Sequence, residues 1–425
     1  MKGPLNRWWI ATMGALLHMC LGSVYAWSYF QARLVESCGW SHAQVAWTFS
    51  LAIGFLGLAA AVGGLCLPRF GPRKLAIAGS LLYGTGYLVA ALALSLRSLS
   101  LLWFGYGVIG GCGLGLGYVT PVATVAKWFP DRKGLVTGLV VMGFGFGALA
   151  MSKVIAPALE FLFSNQLPPV FAGAGLIVGG LGLAAAVFLR NPPSNDAESS
   201  STSSGQLPCP IPASPFEGKA RTSICSGQFL LMWLIFFCNI AAGIALIGFQ
   251  SPLLQDLWKH AAPDRSAATL AAAGATLIAL SSICNGVGRL FWGVCSDRLG
   301  PLIAFRVILA TQVLVFCALI STRNPWLFGG LVCYVLFCYG GGFGVMPAFI
   351  SSSFGARLMP VMYGAILTAW SCAGIVGPQL IARLKDRVGI NVPFYAFSAC
   401  VAILTLGFAL SLLLRPVTAT SPPKL

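Results

Sequence analysis

The chain has 425 residues, of which 57% are hydrophobic and only 8% charged, where an ordinary globular domain carries about a quarter charged residues. Its net charge of +16 comes from 26 Lys plus Arg against 10 Asp plus Glu, and the basic residues stand singly between long apolar runs. A soluble multidomain protein, a disordered chain and a nucleic-acid binder with a dense basic face are thereby excluded, which leaves an integral membrane protein with the lipid bilayer as its partner.

In chain order, Lys2 and Arg7 precede an apolar run at 8–32. That run is too long for a signal-peptide core and has no A-x-A site, so a retained first span is expected. Further runs long enough to cross a membrane lie at 42–66, 75–96, 99–124, 134–160 and 168–189. Six more follow the first six: 228–253, 267–295, 302–321, 325–353, 360–383 and 391–414, counting 228–253 as the first of them. Each approaches the ~20 residues a helical span needs, exceeds a barrel strand, and does not alternate. The expected fold class is an all-α membrane protein of twelve transmembrane helices.

Residues 191–227, with Ser199–Ser204 and prolines from Pro192 to Pro215, cannot bury a core and are read as a cytoplasmic Pro/Ser-rich linker. The domains are then an N-terminal six-helix half (1–190), the linker (191–227) and a C-terminal six-helix half (228–425). Ser41-x-x-Gln44 is a capping box that opens the second span. Gly107, Gly111 and Gly115 form a small face for close helix packing. The fourteen cysteines contain no C-x-x-C pair, so neither a disulfide framework nor a metal site is expected.

With both termini in the cytoplasm, fifteen basic residues fall on the inner side and nine on the outer side or at outer span ends. A multi-pass protein of a plasma membrane or a bacterial inner membrane fits this bias, which the outer cluster Arg383, Lys385 and Arg387 weakens. The halves also repeat. Gly64-x4-Arg69-x-Gly71-Pro72 returns as Gly293-x4-Arg298-x-Gly300-Pro301, and Gly134, Gly147 and Lys153 meet Gly364, Gly377 and Arg383, at nearly one offset. A parallel repeat of this kind places a transporter's substrate site between the halves, near the bilayer midplane.

The segment Gly293-Val-Cys-Ser-Asp297-Arg298-Leu-Gly300 resembles the major facilitator superfamily signature between the second and third spans of a half. This assigns a gating motif to Arg69, Gly71, Asp297, Arg298 and Gly300; in the first half Pro68 stands where the acidic residue usually sits. Four further stretches are similar to the oxalate/formate antiporter family, a relative of the monocarboxylate transporters. They are Asn6-Arg7-Trp8 with Gly22-Ser-Val-Tyr25-Ala-Trp27-Ser28, Lys127-Trp-Phe-Pro-Asp131-Arg132-Lys133-Gly134, Asn285-Gly-Val-Gly-Arg289-Leu-Phe-Trp-Gly293, and Tyr363-Gly364 leading to Thr368-Ala-Trp370. The resemblance implies a major facilitator fold and an organic-anion carrier. It also implies that Arg289 matches a carboxylate-binding arginine of span eight. The family's oxalate exchanger carries a second cation in span eleven, and this chain has no Lys or Arg between Arg357 and Arg383.

Read from the residues alone, Arg289 lies about 12 Å along the helix from Asp297, deep in the hydrocarbon, where a cation costs about 2.5–3.5 kcal/mol on the mildest scale. It is expected to bind substrate carboxylate; a structural ligand for helix-end carbonyls is the alternative. His18, Gly22, Tyr25 and Tyr29 form a helical stripe in span one, and Asn239, Gly243 and Gln250 a comparable stripe in span seven. Tyr25, Tyr118, His18, Trp370 and Asn239 complete the expected substrate-binding set, with an interhelical hydrogen bond as the alternative role for His18. Lys153 and Arg383 are read as an outer vestibule or as snorkelling cations. All ten acidic residues fall in loops or at span ends, which favours exchange, or proton transfer through His18 or the substrate, over a carboxylate relay.

The expected function is secondary active transport of a small organic anion, a monocarboxylate, by alternating access, with no cofactor, no metal and a monomeric chain. Export of a larger, weakly acidic or lipophilic metabolite is the alternative. A membrane enzyme is not expected, because the three histidines (His18, His42 and His260) and the loop acids form no catalytic cluster.

Overall fold

The structure is a computed structural model, whose described residues are 6–129, 133–192, 220–355, 358–388 and 392–414. Most of the expected linker, 193–219, and the loop cations Arg132 and Arg357 lie outside them. Every regular element among the described residues is helical. Asn6 caps the first helix by accepting from the Trp8 N–H at 3.0 Å, and the Ser41/Gln44 capping box closes in both directions.

The spans are α1 (Arg7–Cys38), α4 (Leu99–Trp128), α5 (Leu135–Leu162), α6 (Leu167–Ala186), α7 (Gly227–Ala261), α8 (Ala267–Leu299), α9 (Pro301–Ser321), α10 (Pro325–Phe354), α11 (Met359–Leu384) and α12 (Pro393–Leu413). A continuous run, His42–Ser95, supplies the missing two. It breaks at Gly71, whose φ of 74° and ψ of 166° are non-helical, into α2 (42–70) and α3 (72–95). Gly300 takes nearly the same conformation, φ 85° and ψ 145°, between α8 and α9. A positive φ strains any residue with a Cβ, and the following Pro72 and Pro301 supply a φ suited to a helix start. The sequence repeat is thus also a repeat of backbone geometry. The result is an all-α architecture of twelve spans among the described residues, as expected from the sequence.

Small residues set how closely the helices meet. A Cβ on Gly111 or Gly115 would run into the Ala52 or Leu56 carbonyl of α2, so the glycine face of α4 packs there. Between the N-terminal and C-terminal six helices, α5 lies against α8 and α2 against α11. A Cβ on Gly145 of α5 would meet the Gly286 Cα of α8 at 2.4 Å, so these backbones touch. Three helices are locally irregular: α1 tightens to a 3₁₀ turn at Gly22–Ala26, and α4 and α5 widen to π geometry at Trp103–Gly110 and Met151–Ile155. Such interruptions free backbone groups and mark places where a helix bends or slides.

Candidate functional site

Arg289 enters the middle of the bundle from α8 and is wholly buried. Gly288 and Gly344 make this depth attainable, because a Cβ on either would sit 2.0 Å from a backbone carbonyl of the partner helix, α10 or α8. The guanidinium is held from several sides. Its Nε donates to Asn285 Oδ1 at 3.2 Å, and one terminal nitrogen, Nη1, donates to the Tyr118 hydroxyl and the Val141 carbonyl, each at 3.2 Å. The other, Nη2, is buried without a hydrogen-bond partner among the described residues.

Aromatic rings close the site. The Arg289 Cζ lies 4.8 Å from the Phe343 ring centre and 5.3 Å from that of Phe144, distances at which a ring face attracts a cation. Trp370, from α11, packs against Phe343 at 4.6 Å, Tyr118 at 5.1 Å and Phe144 at 5.6 Å between ring centres. Tyr25 of α1 shares a hydrogen bond with Tyr339 of α10 at 2.5 Å, joining the two sets of six helices on one side of the guanidinium. His18 stacks on Tyr118 with ring centres 4.7 Å apart, and its Nε2 lies 2.9 Å from the Tyr118 carbonyl. Among the described residues no carboxylate pairs with Arg289; Arg33 pairs with Glu160 toward the far end of α1.

Close interhelical contacts flank this cluster. Beyond Tyr25, toward the end that bears the α1–α2 turn, a cavity of about 10 Å³ is lined by Gln250, Ser281, Ser282 and Asn285 among others. At its wall Ser282 donates to the Gly145 carbonyl at 2.5 Å, and farther along Lys153 donates to Thr276 at 3.0 Å, both across the α5–α8 contact. Ser371 of α11 donates to the Gly54 carbonyl of α2 at 2.6 Å, and Gly64 and Gly364 meet nearer the other end. Contacts between the two sets of six helices thus lie on both sides of the cluster.

The structure therefore brings Arg289, Tyr118, His18, Tyr25 and Trp370 together. Asn239 lies elsewhere in the C-terminal helices, accepting from Gln312 Nε2 of α9 at 2.6 Å. Lys153 and Arg383 are exposed near the ends of their helices. Arg69, Asp297 and Arg298 are exposed beside the Gly71 and Gly300 turns. Tyr339, Phe343, Phe144 and Tyr363 were not singled out by sequence reasoning as lining residues. The spacing Tyr339-x3-Phe343 on one face of a glycine-rich helix was the available signal.

The model of the Major Facilitator Superfamily matches residues 11–378. The chain belongs to the major facilitator superfamily. Among its relatives, the uncharacterized MFS-type transporter YhjX of Escherichia coli (strain K12) is 27% identical over 86% of this chain and 86% of its own length. The oxalate:formate antiporter of Oxalobacter formigenes is 25% identical over 97% of this chain and 93% of its own. Human monocarboxylate transporter 11 is 25% identical over 84% of this chain and 72% of its own. As a superfamily member this multi-pass membrane protein is a transporter rather than an enzyme, and relatives that handle small anions span nearly all of it.

Proposed function

We propose that the protein is a secondary transporter of small organic anions, monocarboxylates in particular, that binds the carboxylate at Arg289 and works by alternating access between its two six-helix halves. The observation that carries this reading is the free Nη2 of Arg289: a buried guanidinium with three hydrogen bonds made through Nε and Nη1, Nη2 unpartnered and no carboxylate beside it among the described residues. A charge in that position lacks the pairing that buried ions need, and an anionic cargo supplies it. Tyr25, Tyr118, Trp370 and Phe343 form the apolar and hydroxyl-bearing walls, and His18 lies against Tyr118. The names of two relatives, an oxalate:formate antiporter and a monocarboxylate transporter, favour the same cargo class.

Both termini are proposed to be cytoplasmic, which makes the Lys153/Arg383 end the outer mouth. Counterflow in proteoliposomes with a monocarboxylate panel tests the reading. Arg289→Gln is expected to abolish counterflow with normal membrane insertion, because losing a buried charge-assisted pair costs about 2–5 kcal/mol of binding. Undiminished counterflow by this variant would remove Arg289 from the site.

A further inference from the structure

We propose that His18 is the proton-binding partner of the anion site: the imidazole takes up one proton when an anion docks on Arg289, so that anion and proton load together. This rests on the anion reading above and goes beyond it by naming the coupled ion and its seat.

The geometry of the ring leads to this. Nε2 faces the Tyr118 carbonyl at 2.9 Å. A carbonyl can only accept, so Nε2 carries hydrogen and Nδ1 is the nitrogen left to gain or lose a proton. Nδ1 is fully buried and makes no hydrogen bond, and the Val140 carbonyl is the second backbone oxygen that acts on the ring. The imidazole is thus flanked by oxygen acceptors, an environment that suits two N–H groups. Opposing the second proton are first the burial of the ring and then the charge of Arg289, which is connected to the same residue, Tyr118, through its hydroxyl.

Among the described residues, the titratable side chains around the ring are tyrosines and a cysteine, with no carboxylate among them. Tyr118 of α4 stacks on the ring, and α5 contributes Phe144 and the Val140 carbonyl. On α1 itself, Cys20 and Tyr25 are the adjacent titratable side chains, while Tyr29 and Arg33 are bound to Glu160 farther along. α6 carries no titratable side chain. Arg289 is the cation acting on the ring, and it keeps its charge throughout the accessible pH range.

The charge balance then gives a mechanism. An anion on Arg289 cancels the guanidinium's part of that opposition, and its own negative charge offsets the cost of a buried imidazolium. A proton from bulk water adds to the Nδ1 lone pair; no other bond forms or breaks. The empty site carries one positive charge on Arg289, and the site loaded with anion and proton carries the same net charge. Empty and loaded carriers therefore face a similar electrostatic barrier when the halves rock. By linkage, the proton raises anion affinity by the factor by which the anion raises proton affinity.

The test uses the full-length protein and formate, acetate and lactate as probes. In weakly buffered detergent solution between pH 6 and 8, adding a bound monocarboxylate should draw up to one proton per anion from the medium. These acids are ionised throughout that range, so the uptake is not their own. The anion Kd should rise with pH, by up to about tenfold per unit on the alkaline limb. His18→Gln and His18→Asn, which keep hydrogen bonding to the Tyr118 carbonyl, should bind the anion without proton uptake and with a flat pH dependence. Anion binding by the native protein without proton uptake overturns the proposal, whether or not either variant folds. So does undiminished uptake by a folded His18 variant. Counterflow reports on the anion reading separately and persists whichever way the proton measurement falls.

Discussion

At Arg289 the number of donors matters as much as the charge. Asn285 Oδ1, the Tyr118 hydroxyl and the Val141 carbonyl take up Nε and Nη1 of the guanidinium and fix its plane, and Nη2 is left over. A lysine at this position has three N–H donors, and the same three oxygens would use all of them. Arg289→Lys is therefore expected to insert and keep the site's charge yet bind anion at least about tenfold more weakly, since a hydrogen bond to a charged group contributes about 1.5–3 kcal/mol. Titration of a labelled monocarboxylate against the purified variant measures this; wild-type affinity would mean that charge alone recruits the anion. The depth of Arg289 was legible in the sequence from its distance to Asp297. Its partners were not, because Val141 offers a backbone oxygen and Phe144 and Phe343 are ordinary apolar residues in apolar helices. Asn239 shows the converse: its polar stripe was visible, while the buried Gln312 that engages it could not be inferred from periodicity along a single helix.

Along single elements the sequence was more informative. Apolar runs of span length, the Ser41/Gln44 box and the repeated Gly-Pro pairs mark helices and turns by local chemistry that any neighbour leaves intact. The irregular turns within α1, α4 and α5 were not visible, since they depend on how each helix is gripped from the side. The 3₁₀ turn at Gly22–Ala26 is an example: it carries Tyr25 to its bond with Tyr339, while a Cβ on Gly22 would meet the Phe144 carbonyl at 2.0 Å. The α5–α8 contact is equally tight. Gly145→Val would place its branched side chain where the Gly286 backbone lies, and neither backbone can yield without separating the helices. The expected result is correct insertion with the α5–α8 contact opened: anion exchange falls by at least about tenfold, equivalent to about 1.4 kcal/mol or more. Exchange flux in proteoliposomes, with insertion checked by protease protection, is the measurement. Near-normal flux would show that transport does not require this contact to close.

On the scale of the whole molecule, the two sets of six helices meet around Arg289, the one buried Lys or Arg among the described residues, and this sets the charge the cargo can carry. One carboxylate on Arg289 is neutralised. A second would enter a dry, ring-lined space, where an unpaired ion is strongly disfavoured unless it takes up a proton. The side of α11 that faces the site presents Trp370, packed between Tyr118, Phe144 and Phe343, and its neighbours Ala369, Ser371, Cys372 and Ala373 are uncharged. Lys153 and Arg383 are exposed nearer the helix ends, and Lys153 already donates to Thr276. A proton on His18 would offset part of a second negative charge, but its ring faces the carbonyls of Tyr118 and Val140, so it offers no second fork to a dianion. Monocarboxylates, including acids with apolar bulk beside one charge, are therefore expected to compete for uptake better than the oxalate dianion at pH 7. The competition assay is direct: labelled monocarboxylate uptake into proteoliposomes, with unlabelled formate, acetate, lactate or oxalate added outside at equal concentration. If oxalate competes best, Lys153 or Arg383 must reach the cargo in another conformation of the bundle, and removing each cation in turn would identify which one does.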